Sequence, residues 1–229
     1  MTRPLVIAHR GASAYELENS LAAFRAAAPR GADGVGLDVH ATKDGTLIVH
    51  HDETVGGRHI TRSTAADIRA LRLANGEPVP TLDEALDAIA LPLKVFVEVK
   101  SLPPQFDGVL YAALERGPNQ GRCAVHGFDH RIVSRLGLGR PALPRGVLLS
   151  SYPIRPLEVL EDTGATTLWE DHHMIDAALV DTVQSAGYQV FAWTANEEED
   201  LRRLVGLGVD AVCTNYADVA RRVVGAVAA

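Results

Sequence analysis

The sequence predicts an α/β fold, a (β/α)8 TIM barrel with a small insertion after the second strand. Eight short β-rich runs recur along the chain, and segments with helical spacing of Leu, Ala, Ile and Val separate most of them. Glycine stands where several of these helices are expected to end. Eight parallel strands with intervening helices close most economically into a barrel, and an open doubly wound sheet is the alternative on this pattern.

The individual elements follow from local composition and period. Apolar residues at helical spacing predict helices that include 21–28, 82–89, 177–186 and 200–207. The eight predicted barrel strands are 5–10, 35–41, 94–100, 123–128, 146–150, 166–170, 189–194 and 211–215.

Residues 42–80 interrupt the alternation after the second strand. Lys43-Asp44-Gly45 has the composition of a tight turn, and 47–51 is predicted to form an extra strand. We interpret the stretch as an insertion within a single domain that spans residues 1–229. No linker, charge block or low-complexity segment in the sequence indicates a second domain.

Composition excludes some classes of function. The 229 residues are 47% hydrophobic, which suits one sizeable core. There are 29 acidic and 22 basic residues, giving a net charge of -7, and this balance argues against nucleic-acid binding, which needs a basic surface. The sequence leaves the oligomeric state open.

The first residues and the two cysteines bear on location. Only four apolar residues precede His9, far fewer than a signal peptide or a membrane span needs. We therefore expect a cytoplasmic protein without membrane insertion. Cys123 and Cys213 lie in apolar, strand-like runs without metal-ligand spacing, and are predicted to be buried, reduced thiols without a chemical role.

Polar residues crowd the carboxyl ends of the first three predicted strands, where barrel enzymes work. His9 and Arg10 end the first strand. Asp38 in the second strand, and Glu98 and Lys100 in the third, alternate with valine or leucine and are predicted to point into the barrel. A carboxylate in a dry interior is costly unless it is paired, hydrogen-bonded or bound to a metal. These charges therefore predict a functional site.

The same residue types meet the needs of phosphodiester hydrolysis. That reaction needs positive charge on the non-bridging oxygens, a base for the nucleophile and an acid for the leaving alkoxide. His51, at the end of the extra strand, supplies a second imidazole beside that of His9. The set of two histidines, an arginine, a lysine and two carboxylates can provide every one of these roles.

The ordered motifs resemble those of the glycerophosphodiester phosphodiesterase family across nearly the whole chain. A lone His-Arg-Gly would carry no information, but this many clusters in register are specific. The matching clusters are His9-Arg10-Gly11, Glu18-Asn19-Ser20, Gly31-Ala32-Asp33, Leu37-Asp38-Val39, Thr42-Lys43-Asp44-Gly45, His51-Asp52, Glu98-Val99-Lys100, Phe128-Asp129, Trp193-Thr194-Ala195-Asn196 and Thr214-Asn215-Tyr216.

The resemblance implies an activity and a role for each matching residue. Family members cleave glycerophosphodiesters to glycerol 3-phosphate and an alcohol, often with Mg2+ or Ca2+, so the implied partner is a small-molecule glycerophosphodiester. The roles that the resemblance implies are an acid and base pair (His9, His51), a phosphate ligand (Arg10), a residue beside the phosphate (Lys100), supporting residues (Glu18, Asn19), a pocket border (Trp193) and ligands of a divalent cation (Asp38, Glu98).

One departure from the family pattern concerns the metal. The family has Glu two residues before the second-strand Asp, as a metal ligand, and this chain has Gly36 there. Fewer anionic ligands mean weaker cation binding and more coordinating water. His40 shares the parity of Gly36 and Asp38, but imidazole is a poor ligand for Mg2+ or Ca2+. Other departures are Asn215 and Ala217, where the family has Asp and Pro.

Several of these residues also have purely structural interpretations. Asn19 and Ser20 stand where a helix begins, so capping alone could explain them. Trp193 could be core packing. A buried ion-pair network at the barrel mouth could account for His9, Arg10, His51 and Glu98. His126, His130, His172 and His173 are expected to be ordinary loop or core residues.

Three functions follow from these alternatives. The first is hydrolysis of small glycerophosphodiesters by a two-histidine mechanism with a divalent cation. The second, suggested by Gly36, is a degenerate family member that binds phosphodiesters with little or no turnover. The third is a phosphodiesterase of the phospholipase D toxin or phosphoinositide-cleaving type, which forms a cyclic phosphate. The absence of a membrane-docking segment in the sequence counts against a lipid substrate.

Overall fold

Eight parallel strands close into a barrel in the computed structural model, which describes residues 3–227. The first strand pairs with both the second and the last barrel strand, and this double pairing closes the sheet. The TIM-barrel prediction is therefore confirmed. The barrel strands are β1 (Leu5–His9), β2 (Gly34–Ala41), β6 (Lys94–Ser101), β7 (Cys123–Gly127), β8 (Arg145–Leu149), β9 (Thr167–Asp171), β10 (Gln189–Trp193) and β11 (Ala211–Thr214).

Helices surround the barrel and begin and end at residues suited to those positions. Thr81 and Glu84 form a capping box at the start of the third helix, and Gly208, with a φ of 81°, ends the eighth in the left-handed conformation that favours glycine. The helices are α1 (Leu21–Ala27), α2 (Ala65–Arg69), α3 (Leu82–Ala88), α4 (Asp107–Glu115), α5 (His130–Gly139), α6 (Pro156–Thr163), α7 (Ala177–Ser185), α8 (Glu198–Leu207) and α9 (Ala217–Val227).

The apolar residues form an outer and an inner layer. The outer layer lies between strands and helices and takes alternate strand residues such as Val6 and Leu37. The inner layer fills the barrel and includes Ile7, Phe96 and Trp169. Side chains alternate along a strand, so every second residue points into the barrel together with the inner layer. The polar residues among them lie toward the carboxyl ends of the strands.

The insertion after β2 has its own small core. β3 (Leu47–Val49) pairs antiparallel with β2, and β4 (Thr54–Val55) pairs antiparallel with β5 (Arg58–His59). The turn before β3 places Gly45 at a φ of 86°, and its N–H donates to the carbonyl of Thr42 at 3.0 Å. The extra strand ends two residues earlier than predicted, before His50 and His51. The small core consists of Ile48, Val55, Ile60, Ile68 and Val79.

The helices and the two cysteines also bear on the sequence predictions. Within residues 3–227, none of the helices has the length and apolar character needed to cross a membrane. Cys123 and Cys213 are both buried, free thiols, and burial raises the pKa of each well above its usual value.

Candidate active site

A cavity of about 130 Å³ lies at the carboxyl ends of the barrel strands. Seven of the nine residues that the sequence assigned to the site line it, and the two that do not are Glu18 and Asn19. Its lining residues are His9, Arg10, Gly36, Leu37, Asp38, His51, Glu98, Lys100, His126, Phe128, Leu148, Trp169, Trp193, Thr194 and Cys213. The predicted residues from β1, β2, β6, β10 and the insertion are thus brought together in space.

The chain leaves β1 in an unusual conformation that directs Arg10 into the site. Arg10 has a φ of 58°, which is costly for a residue with a side chain. Gly11 follows at a φ of 82°, and a Cβ there would lie 2.7 Å from the backbone of Ala23. The close approach of α1 therefore requires glycine at position 11. Strained backbone of this kind is concentrated at functional sites.

Two cations and two carboxylates of the cavity lining form an ionic network. The Lys100 Nζ atom lies 2.5 Å from Glu98 Oε1 and 3.5 Å from Asp38 Oδ1. The Arg10 Nε atom lies 3.2 Å from Asp38 Oδ2. Asp38 and Glu98 are register neighbours on adjacent strands, which brings their side chains to the same height in the barrel. The inward direction predicted for these charges is observed.

The network sets the ionisation of its two carboxyl groups in opposite directions. Burial acts to raise the pKa of Asp38, but the positive charges of Lys100 and Arg10 outweigh it and hold the pKa well below its usual value. Burial and the nearby Asp38 carboxylate raise the pKa of Glu98. Asp38 is therefore negatively charged at neutral pH.

Glu18 and Asn19 support this network from the loop before α1. Glu18 receives two hydrogen bonds from Arg10 Nη1, at 2.8 and 2.9 Å. The buried Asn19 side chain donates to Asp38 Oδ2 at 2.8 Å. The capping role belongs to Ser20, whose Oγ accepts from the Ala23 N–H at 3.1 Å. Asn19 therefore contacts a residue of the site, whereas Ser20 caps the helix.

His9 is buried, and a neutral amide holds its ring. The His9 Nδ1 atom lies 2.8 Å from Asn215 Oδ1, so Nδ1 carries the ring proton and the lone pair is on Nε2. Asn196 accepts from the Asn215 N–H at 2.9 Å and fixes that loop. Burial and the adjacent Arg10 guanidinium lower the pKa of His9 to about 4. His9 is therefore a neutral imidazole at pH 7.

His51 has a different environment from His9. Its Nδ1 atom lies 2.8 Å from the exposed Asp52 carboxylate. Its backbone carbonyl is 3.2 Å from Nε2 of the buried His40, whose Nδ1 is in turn 2.9 Å from Ser101 Oγ. His40 does not line the cavity but holds the backbone of His51 in place. Among the described residues, His9 contacts Asn215 and His51 contacts Asp52, and neither ring forms a hydrogen bond or ion pair with Asp38, Glu98, Arg10 or Lys100.

Aromatic rings form another part of the cavity wall. The His126 ring stacks on Trp169 at 4.2 Å with an interplanar angle of 4°. Phe128, half exposed, meets Trp193 edge to face at 5.6 Å. Trp193 also packs against the inner core, so it serves both packing and the cavity wall.

Sequence reasoning missed the place of His126 in the cavity and the two contacts that position His9 and His51. His126 was expected to be an ordinary loop or core residue, but it is the register partner of Glu98 and lines the cavity. Its parity in β7 could have indicated this. The contact between His9 and Asn215 joins residues 206 positions apart and leaves no local pattern. The contact of His40 with the His51 backbone depends equally on the fold.

A second group of metal-ligand type lies at the end of β9, away from the cavity lining. Ligand atoms of Asp171, His172 and His173 all lie within 4.8 Å of one another. Asp171 Oδ1 accepts from the His173 N–H at 2.9 Å, so capping of the following turn accounts for part of this arrangement.

Comparison with known proteins decides the family. Residues 9–219 match the model of the "Glycerophosphoryl diester phosphodiesterase family". The chain belongs to this family. Its activity is therefore hydrolysis of glycerophosphodiesters, and the family resemblance noted in the sequence is confirmed. Glycerophosphodiester phosphodiesterases are also a family that depends on divalent metal ions.

Individual glycerophosphodiester phosphodiesterases are similar over almost the full chain. One from Caldanaerobacter subterraneus subsp. tengcongensis is 33% identical, with 93% of this chain and 94% of that protein covered. One from Bacillus subtilis is 30% identical, with 96% and 86% covered. The structure of an Oleispira antarctica phosphodiesterase in complex with the product sn-glycerol-3-phosphate has a TM-score of 0.91 and 26% identity, covering 97% of both chains.

Proposed function

We propose that this chain hydrolyses small glycerophosphodiesters to glycerol 3-phosphate and a free alcohol at the cavity above β1, β2 and β6. The single observation that carries the proposal is that two imidazoles in different environments and the ionic network of Asp38 line one cavity. The similar Oleispira phosphodiesterase, which binds sn-glycerol-3-phosphate, supports the same product here.

The environments of the two histidines favour different roles. His9 is neutral at pH 7, and its free Nε2 lone pair suits it to accept a proton from the attacking water. Asp52 contacts His51 Nδ1 and orients its ring, and we assign His51 as the residue that donates a proton to the leaving alkoxide. We therefore assign the base to His9 and the acid to His51.

The cations of the network serve the phosphate. Arg10 and Lys100 line the cavity and can donate to the non-bridging oxygens, which gain negative charge in the transition state. Glu18 and Asn19 orient this pair rather than contact the substrate, since Glu18 binds Arg10 and Asn19 binds Asp38. Trp193 would border the alcohol or glycerol part of the substrate.

The donor set around Asp38 fits a hard divalent cation. Asp38 and Glu98 both contact one ammonium group, so a single cation can reach both carboxylates. Mg2+ is commonly held by one or two carboxylates with waters and substrate phosphate completing its shell, and Ca2+ takes more oxygen ligands. A bound cation would add positive charge beside the phosphate and assist the leaving of the alkoxide. Two carboxylates favour Mg2+ over Ca2+, with weak affinity.

Turnover of defined substrates tests this function. Purified protein is incubated with glycerophosphocholine or glycerophosphoethanolamine in Mg2+, Ca2+ and Mn2+, and release of glycerol 3-phosphate is measured. His9→Asn and His51→Asn should each lower kcat by at least about 100-fold, in line with the loss of a general acid or base. Phosphodiester binding without turnover in every condition would contradict the proposal and support the degenerate binding protein instead.

The remaining parts of the proposal concern substrate type and location. Phosphorus NMR of the products should show glycerol 3-phosphate directly, and an accumulating cyclic phosphate would indicate intramolecular attack instead. We also propose a cytoplasmic location, which the free state of both cysteines supports.

A further inference from the structure

Gly36 leaves space beside the ionic network of Asp38, Glu98, Lys100 and Arg10. A Cβ at position 36 would lie 3.9 Å from the Ala8 carbonyl oxygen and from Ile7 Cγ2, and 4.0 Å from the backbone nitrogen of Arg10. These are ordinary contact distances, so a side chain could begin there without displacing the backbone. Gly36 lines the cavity on the same face of β2 as Asp38. The position is therefore open and next to the carboxylates.

The carboxylates around that space already have cationic partners. Lys100 contacts both Glu98 and Asp38, and Arg10 contacts Asp38 and also pairs with Glu18. A divalent cation entering this network gains attraction from the carboxylates but meets repulsion from both cations. A third carboxylate would shift this balance toward cation binding, and the chain lacks it at Gly36.

We propose that the divalent cation and the phosphate of the substrate bind to this site cooperatively, the phosphate oxygens supplying the anionic charge that Gly36 does not. Phosphate would draw Arg10 and Lys100 toward its own oxygens and weaken their hold on Asp38 and Glu98. The two carboxylates would then be free to face the cation, and the phosphate would add negative charge beside it. Each ligand thereby improves the site for the other.

The inference rests on the proposed function, because it assumes that phosphate and cation share this cavity. It adds a property that follows from one residue of this chain. Binding linkage is reciprocal, so the cation must raise phosphate affinity by the same factor by which phosphate raises cation affinity. Both directions can be measured without turnover.

Calorimetric titration provides the test. Mg2+ is titrated into the full-length protein with and without saturating glycerol 3-phosphate, and glycerol 3-phosphate is titrated with and without Mg2+. We expect each ligand to raise the affinity of the other by about 10-fold or more, within the usual range of coupling between sites. Gly36→Glu should bind Mg2+ more tightly in the absence of phosphate and show a smaller coupling factor.

Gly36→Gln is the matched control. It fills the same space without a charge, so it should keep weak Mg2+ binding in the absence of phosphate. Circular dichroism and thermal unfolding show whether each variant is folded before its titration is interpreted. A Gly36→Gln protein that behaved like Gly36→Glu would assign the effect to volume and overturn the role of charge.

The other outcomes separate this inference from the proposed function. Equal Mg2+ affinity with and without glycerol 3-phosphate would overturn the coupling while leaving hydrolysis, measured separately, intact. An unchanged coupling factor in Gly36→Glu would overturn the role of position 36. If neither Mg2+ nor glycerol 3-phosphate bound under any condition, the proposed function would fall together with the inference.

Discussion

His9 Nδ1 lies 2.8 Å from the side-chain oxygen of Asn215, a neutral partner. An amide oxygen fixes the tautomer of the ring but adds no negative charge. Burial and the Arg10 guanidinium then lower the pKa of His9 to about 4. The proposed base therefore stays unprotonated well into the acidic range.

Asn215→Asp should move the acidic limb of the pH profile upward. A carboxylate beside Nδ1 stabilises the imidazolium, so the pKa of His9 rises and the base is lost at a higher pH. We expect the acidic limb of kcat/KM to lie near pH 4 in the natural protein and to shift upward in the variant by about one unit or more, as an opposite charge at this distance does. The measurement is kcat/KM from pH 3.5 to 8.

Asn215→Ser is the control for that shift. It shortens the side chain without adding charge, so activity should fall while the acidic limb stays low. An unchanged limb in Asn215→Asp would show that the acidic limb does not report His9.

His40→Phe should lower kcat while KM changes little. His40 Nε2 contacts the His51 carbonyl at 3.2 Å, and phenylalanine keeps the ring but removes that bond. A misplaced acid costs rate more than substrate binding, and we expect a loss of roughly 10-fold to 100-fold in kcat. Steady-state kinetics checks the split, and His40→Asn, which keeps a donor, should recover part of the rate. Equal rises in KM would point to a disturbed pocket instead.

The sequence predicted the barrel and the direction of the buried charges because both depend on local patterns. Alternation with valine placed Asp38, Glu98 and Lys100 inside, and the strand bounds agree with the structure within one residue. The extra strand was predicted two residues too long because only the fold shows where pairing with β2 stops.

Contacts between distant segments could not be predicted. Asn215 reaches His9 only because β1 and β11 are neighbours in the closed barrel. The separate roles of Asn19 and Ser20 depend on how the loop before α1 lies over Asp38. The single-domain extent of residues 1–229 and the chemical roles of the site residues stay predictions.

Lys100→Met should make the stability of the protein depend on divalent cations. The ammonium group contacts both Glu98 and Asp38, and its removal leaves two buried carboxylates without that charge. Breaking a buried ion pair costs about 3 to 5 kcal/mol. A divalent cation can replace the lost charge, so Mg2+ should raise the melting temperature of the variant by several degrees and that of the natural protein by less.

Thermal unfolding with EDTA and with Mg2+ measures this difference. Lys43→Met, on the exposed turn of the insertion, is the control and should respond to Mg2+ like the natural protein. If Lys100→Met were no more sensitive to Mg2+ than the control, the two carboxylates would not form a cation site together.

Glu170→Gln should stabilise the protein at neutral and alkaline pH. The Glu170 side chain is fully buried in β9, with Oε1 accepting from the Asp171 N–H at 3.0 Å and Oε2 without a hydrogen-bond partner among residues 3–227. Burial raises its pKa to about 8. The folded protein therefore keeps this proton between about pH 4.5 and 8, where the unfolded chain has lost it, and stability falls as pH rises through that window.

Glutamine keeps the acceptor for Asp171 without the ionisable proton. At pH 8 we expect the free energy of unfolding to rise by roughly 1 to 3 kcal/mol. Each kcal/mol corresponds to about 2 to 4 °C in melting temperature for a chain of this size. Near pH 4.5 we expect no gain. Denaturant unfolding at both pH values measures it, with the exposed Glu161→Gln on α6 as control. A gain of equal size at both pH values would assign the effect to packing, because only the ionisation of Glu170 produces a difference that grows with pH.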